Sequence, residues 1–250
     1  MACALIPLAV WGLLILVPDD PAIRLGVLLV LLMPCTDWYI TFTHLGGGDT
    51  RRAIAATPVN LLVQLGLLPV YLWLFLGNAF LELLAADQIA TVFVTLIVLP
   101  LVAAWLTERW AERGPQGGDV VARIGWLPVP LLGLVVFVIA ASQVRAVLGA
   151  LPALGQVLGV FVAFLIVAAI LGVALGRGLG LATASIRALV FSLGTRNSFV
   201  VLPLALALAP QWQTATVVIV FQSVVELFGM LAYLWAVPRF VAPSRTAETR

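Results

Sequence analysis

The sequence contains no lysine, and only 10% of its 250 residues are charged. Soluble domains carry roughly a quarter charged residues. That scarcity excludes a soluble enzyme, a disordered chain and a nucleic-acid binder. Histidine occurs once, as His44, and cysteine twice, as Cys3 and Cys35. Two cysteines cannot make a disulfide framework. One histidine without neighbouring acids or thiols is not a metal site. No cofactor is expected. No nucleophile stands beside a base, so the chain does not read as an enzyme. The stretch Gly46-Gly47-Gly48-Asp49-Thr50 lacks the lysine and the spacing of a phosphate-binding loop and reads as a turn.

Apolar residues fill the space left by charge. They make up 63% of the chain, and the mean hydropathy is +1.18. Lipid is therefore the main solvent. Apolar runs fall near 2–17, 22–45, 53–77, 89–107, 124–142, 152–175, 184–209 and 214–237. A β-barrel would alternate with period 2, whereas these runs are continuously apolar and rich in Leu, Ala and Val. The expected fold is an all-α membrane protein of about eight transmembrane helices, forming a single domain over 1–250. The first run has no positively charged leader region and no A-x-A cleavage site, so it reads as a short span and not as a signal peptide. The polar segment 108–123 reads as a hinge between two halves.

Arginine placement orients the spans. Arg51, Arg52, Arg109, Arg113, Arg123, Arg177, Arg187, Arg239, Arg245 and Arg250 fall in breaks after even-numbered spans or in the C-terminal tail. Only Arg24 and Arg145 fall on the other side. The positive-inside rule then makes both termini cytoplasmic, in a multi-pass protein of the inner (plasma) membrane. Trp73, Trp105, Trp110, Trp126 and Trp235 lie near span ends and read as interface anchors.

Ionisable groups at membrane depth are costly, about 2.5–3.5 kcal/mol each on insertion scales, so function is sought there. The second span contains Pro34-Cys35-Thr36-Asp37, and the seventh contains Gly194-Thr195-Arg196-Asn197-Ser198 with Pro203 beyond it. Proline lacks an amide proton and breaks a helix. Unwound backbone at this depth is tolerated where it lines a cavity or is buried in protein. Two interrupted spans in corresponding positions point to a secondary transporter with inverted repeats and a midplane site. The helix after each break carries a polar pair four residues apart, Asn60 with Gln64 and Gln222 with Glu226, on one face. The first repeat is read as 1–77, incomplete, and the second as 89–240, with the two broken helices crossing.

These motifs resemble the bile-acid/sodium symporter superfamily, and within it the arsenite efflux carriers. The residues that carry the likeness are Pro34-Cys35-Thr36, the turn His44 to Thr50, Gly194-Thr195-Arg196-Asn197-Ser198-Phe199, and Val225-Glu226. The resemblance implies ten helices in two inverted five-helix repeats, so two helices are expected to be lacking before Met1. Sodium-coupled members carry a glutamate in the second broken span that helps to ligate sodium. Arg196 stands here with no acid, which leans towards proton coupling or anion recognition.

Each candidate has a plainer alternative. Cys35 is a thiol ligand for trivalent arsenic, or a small buried residue. Asp37 and Arg196 form a gated, proton-accepting ion pair, or a static one. Glu226 carries a proton or contacts substrate, or is a hydrogen-bonded structural acid. Asn60 and Gln64 line a cavity or pack helices. His44 reads as interfacial. The resulting expectation assigns Cys35, Thr36, Asn60, Gln64, Thr195 and Asn197 to substrate and Asp37, Arg196 and Glu226 to ion coupling. The function expected is arsenite or metalloid efflux coupled to protons. The alternatives are an organic-anion symporter or a non-transporting membrane fragment. The partners expected are the lipid bilayer, a small inorganic or organic anion or oxyacid, and protons, with no nucleic acid.

Overall fold

The computed structural model describes residues 2–35, 38–76, 94–112 and 144–242, with scattered positions between 114 and 141. Among these residues the regular elements are helices. They are α1 (Ala2–Leu13), α2 (Pro21–Leu32), α3 (Trp38–Leu45), α4 (Thr50–Leu76), α5 (Leu99–Ala111), α6 (Val144–Gly178), α7 (Thr183–Gly194), α8 (Ser198–Leu206) and α9 (Gln213–Phe240). Short 3₁₀ turns follow α1 and precede α9, and a π-helical turn, Val94–Val98, leads into α5.

Local chemistry sets several boundaries. Asp20 accepts from the amides of Ala22 and Ile23 at 2.8 and 3.1 Å, and Pro21 opens α2. Aspartate before a first-turn proline is a strong helix start. Asp49 accepts from the Arg52 amide at 3.1 Å and begins α4. Asn197 accepts from the Val200 amide at 3.1 Å and begins α8. The turn between α3 and α4 depends on Gly47, whose φ of +67° suits glycine, and an added Cβ there would meet the Arg187 guanidinium at 2.7 Å. His44 is exposed beside this turn.

The expected run 22–45 is two helices, with the chain unwound at Met33 to Cys35. The run 184–209 is likewise α7 and α8. The run 152–175 lies within α6, which starts earlier, at Val144, so Arg145 is helical and not in a loop. The Ala, Leu, Val and Arg of 144–151 include strong helix formers, and the break read there, which carries Arg145, is too short to stop them. The run 89–107 is described only from Val94, and most of 124–142 lies outside the described residues. So do Thr36, Asp37, Arg113, Arg123, Arg245 and Arg250, and the side chains of Cys3 and Gln64.

α2 is the centre of the molecule. Every residue from Leu25 to Met33 is buried, as a helix that is apolar all round requires. The outer surface is the reverse. Trp11, Ile15, Phe228, Trp235 and Phe240 are exposed. Segments 154–178 and 210–240 are long and apolar enough to cross a bilayer unaided, and less than half of each core stretch is buried within the protein. Twenty-five residues reach about 37 Å at 1.5 Å each, against a hydrocarbon core of about 30 Å.

Helices α2, α3 and α4 have 12, 8 and 27 residues, and α7, α8 and α9 have 12, 9 and 28. The packing follows the same order. The α1–α2 contact has a counterpart in α6–α7, α1–α4 in α6–α9, α2–α4 in α7–α9, α3–α4 in α8–α9, α3–α7 in α8–α2, and α2–α9 in α7–α4.

Candidate functional site

The two unwound segments meet. Pro34 and Arg196 form an antiparallel backbone bridge, and the Asn197 amide donates to the Met33 carbonyl at 2.9 Å. The bridge is possible because both chains have left their helices. Proline at 34 frees the last turn of α2, and α7 ends at Gly194, whose added Cβ would meet the Tyr233 ring at 2.6 Å. The antiparallel sense means that α2 and α7 approach the crossing from opposite ends.

Arg196 is 4% exposed. Its Nη1 donates to the Leu31 carbonyl at 3.3 Å and its Nη2 to the Leu193 carbonyl. Its guanidinium lies 5.1 Å from the centre of the Phe164 ring of α6, a favourable seat for a buried cation. Its Nε has no partner among the described residues. Leu31 and Leu193 sit in the last turns of α2 and α7, where carbonyls lose their intrahelical donors. The described ion pairs are two surface ones, Arg24–Asp19 at 3.1 Å and Arg52–Asp49 at 3.2 Å. Arg196 is thus held by two carbonyls and a ring.

Glu226, also 4% exposed, takes a different place. Its Oε2 accepts from the backbone amide of Arg196 at 2.8 Å and from the Gln222 side-chain amide at 2.7 Å. Ser198 in turn donates to Gln222 Oε1 at 2.7 Å. The carboxylate therefore sits at the N-terminal end of α8, where helix amides favour an anion. The i, i+4 spacing of Gln222 and Glu226 makes this network possible.

Cys35, Trp38, Arg196, Asn197, Ser198, Phe199, Ser223 and Glu226 enclose a cavity of about 10 Å³, roughly the room one water needs. The structure thus brings together four sequence candidates: Cys35, Asn197, Arg196 and Glu226. Thr195 is buried, but its hydroxyl bonds back to the Phe191 carbonyl at 2.8 Å and does not line the cavity. Asn60 lines a separate cavity of about 260 Å³ between α4 and α7, with Tyr39, Arg52, Ser185 and Ser192.

Trp38, Ser198, Phe199 and Ser223 complete the small cavity but were outside the sequence assignment. Ser198 and Ser223 flank assigned or paired residues, and adjacency to the polar cluster was their only signal. Tyr39 was also missed. Its hydroxyl donates to the Ala53 carbonyl and lies 2.6 Å from Thr57 Oγ1, tying α3 to α4. Its signal was a buried phenol, which needs a partner.

Crossed helix breaks, an apolar outer surface and a buried polar cluster define a helical membrane transporter. The model of the Sodium Bile acid symporter family matches residues 2–150, more than half of the chain, and the chain belongs to that family. Members of this family are membrane-integral transporters and not enzymes. No curated protein matches the chain.

Proposed function

We propose that this protein is a secondary transporter that exports arsenite, or a related small metalloid oxyacid, in exchange for protons. The carrying observation is the size and lining of the crossing cavity: about 10 Å³, with a thiol, two serine hydroxyls and a carboxylate. The space holds about one water as it stands, so a small inorganic solute requires only a modest widening, whereas drug-sized organic ligands occupy about 300–1,000 Å³. Cys35 supplies one soft ligand, and Ser198 and Ser223 supply hydroxyls for an oxyacid. Glu226 lines the same cavity and is the proton carrier. Asn197 orients the break by capping α8.

The architecture in this reading is two inverted repeats, 1–77 and 89–240, making about eight spans. α2 with α3 and α7 with α8 each cross as a broken pair, since 12 residues reach only about 18 Å alone. The matched helix lengths and pairings support it. Both termini are cytoplasmic in a plasma membrane, as the arginine distribution suggests.

A second reading rests on the larger cavity. About 260 Å³ lined by Arg52, Asn60, Ser185 and Ser192 fits an organic anion better than an oxyacid. Everted vesicles separate the two. Arsenite uptake that requires an inward-acid gradient supports the first reading. Uptake of a carboxylate with no arsenite uptake overturns it.

A further inference from the structure

We propose that the Arg196 guanidinium is the resident cation of the crossing. It occupies the place between two helix C-termini where a coupling cation would otherwise bind, and it makes the protein independent of sodium. In its consequence for coupling, this inference rests on the transport reading above.

The argument begins with helix ends. α2 and α7 both end at the crossing, at Leu32 and Gly194. Each C-terminus carries roughly half a negative charge, from carbonyls that have lost their donors. Two such ends facing one point amount to about one negative charge, without any carboxylate. In transporters with broken helices, these ends and the unwound carbonyls are the groups that coordinate a monovalent cation.

Here one guanidinium takes that role from within the chain. Its two terminal nitrogens reach one carbonyl from each helix, Leu31 and Leu193. Against these two ends alone the charges match in size, about +1 against −1, and the Glu226 carboxylate in the same cavity adds further negative charge beside the guanidinium. The third wall is the Phe164 face at 5.1 Å. The buried carboxylate nearby is spoken for by other donors, since Glu226 Oε2 takes the Arg196 amide and the Gln222 amide. A second monovalent cation here would meet a fixed like charge in low dielectric and would compete for carbonyls already engaged. A guanidinium is charged at every working pH and its planar fork spans two acceptors, so the place is permanently filled. The family takes its name from sodium, and in this inference the chain departs from it at that point.

The test is the melting temperature of the purified full-length protein in detergent. Sodium chloride is titrated against choline chloride at constant ionic strength. The wild type should show no sodium-specific shift. Arg196→Ala should melt lower and recover saturably with sodium or with millimolar guanidinium ions. The recovery should be roughly 5–10 °C at a hundredfold excess over Kd for a chain of this size. Arg196→Lys, which keeps the charge but loses the fork, should melt between the two and ignore sodium. A saturable sodium-specific shift in the wild type or in Arg196→Lys overturns the inference. So does an Arg196→Ala protein as stable as wild type and blind to every cation. If Arg196→Ala does not fold, the other two titrations still decide. Melting needs no substrate, so failure here leaves the transport reading standing, and failure of arsenite transport leaves this inference standing.

Discussion

Two seams of the molecule are built alike and packed differently. In the first, α2 lies against α9. An added Cβ at Gly26 would meet the Ala215 carbonyl oxygen at 2.8 Å and its Cα at 2.9 Å, so the two backbones nearly touch. In the second, the counterpart helices α7 and α4 stand apart around a cavity of about 260 Å³. The open seam lies at the end that carries Arg52 and Arg187, and the tight seam lies at the end that carries Asp19 and Asp20. What closes the first is a glycine facing an alanine. What bridges the second is polar, with Arg52 donating across it to Ser185 at 2.9 Å and pairing with Asp49 at the start of α4 at 3.2 Å. The same helix order thus supports both a sealed and an open packing, as alternating access requires.

The hardest way to break the comparison is to wedge the tight seam. Gly26→Leu pushes a side chain into backbone that cannot rotate away. Overpacking of flexible cores costs about 1–3 kcal/mol and sometimes more, and a rigid neighbour puts this change at or above the upper end. Loss of a monodisperse peak in detergent, or a steep fall in melting temperature, is the expected outcome. A variant that melts like wild type would mean that the seam is not tight.

Glu226→Gln probes the crossing that both seams share. It keeps an acceptor for the Arg196 amide, so the loss of stability should be about 1 kcal/mol, the difference between charged and neutral hydrogen bonds. Coupling should suffer far more. Arsenite flux should no longer respond to an imposed pH gradient, while counterflow of substrate persists. Retained gradient dependence would make Glu226 a structural acid serving the end of α8.

The crossing was legible in the sequence because its cause is local. Pro34 removes an amide, and Gly194-Thr195 opens a polar run inside an apolar one. The direction of Arg196 was not legible. Sequence offered Asp37 as its partner, since an acid in the matching break is visible in one dimension, and that pairing lies outside the described residues. The carbonyls of Leu31 and Leu193 are invisible there, because any residue has one and only the helix ends make these available. Nor could sequence separate Asn60 from the crossing. Its i, i+4 pairing with Gln64 matches that of Gln222 and Glu226, yet Asn60 faces the open seam. The early start of α6 was hidden for the opposite reason, since a single arginine among Ala and Leu looks like a loop but does not end a helix.

Cys35→Ser is a smaller perturbation of the fold. The hydroxyl is nearly isosteric with the thiol, and its extra polarity should cost below about 1 kcal/mol in a site already lined by polar groups. Arsenite export should fall several-fold at equal protein level, because oxygen is a poor ligand for a soft centre. A resistance assay with matched blots reads both quantities. Unchanged export would shift attention from the small cavity to the larger one beside Asn60.

The smallest effect on stability is expected from the change that answers Gly26→Leu across the comparison. Ala56 is exposed on α4 and lines the open seam. Ala56→Leu adds its methylenes to space that exists, so melting should stay within about 0.5 kcal/mol of wild type, as for surface positions in general. Transport should nevertheless slow, because a wedge in the open seam opposes the packing that its counterpart already has. A double change with Gly26→Leu should not restore stability, since the seams lie at opposite ends of the bundle and distant changes add. If Ala56→Leu were as damaging as Gly26→Leu, the two seams would be equally tight in solution. If it left transport untouched, the open seam would be a permanent cavity and not one state of a moving part.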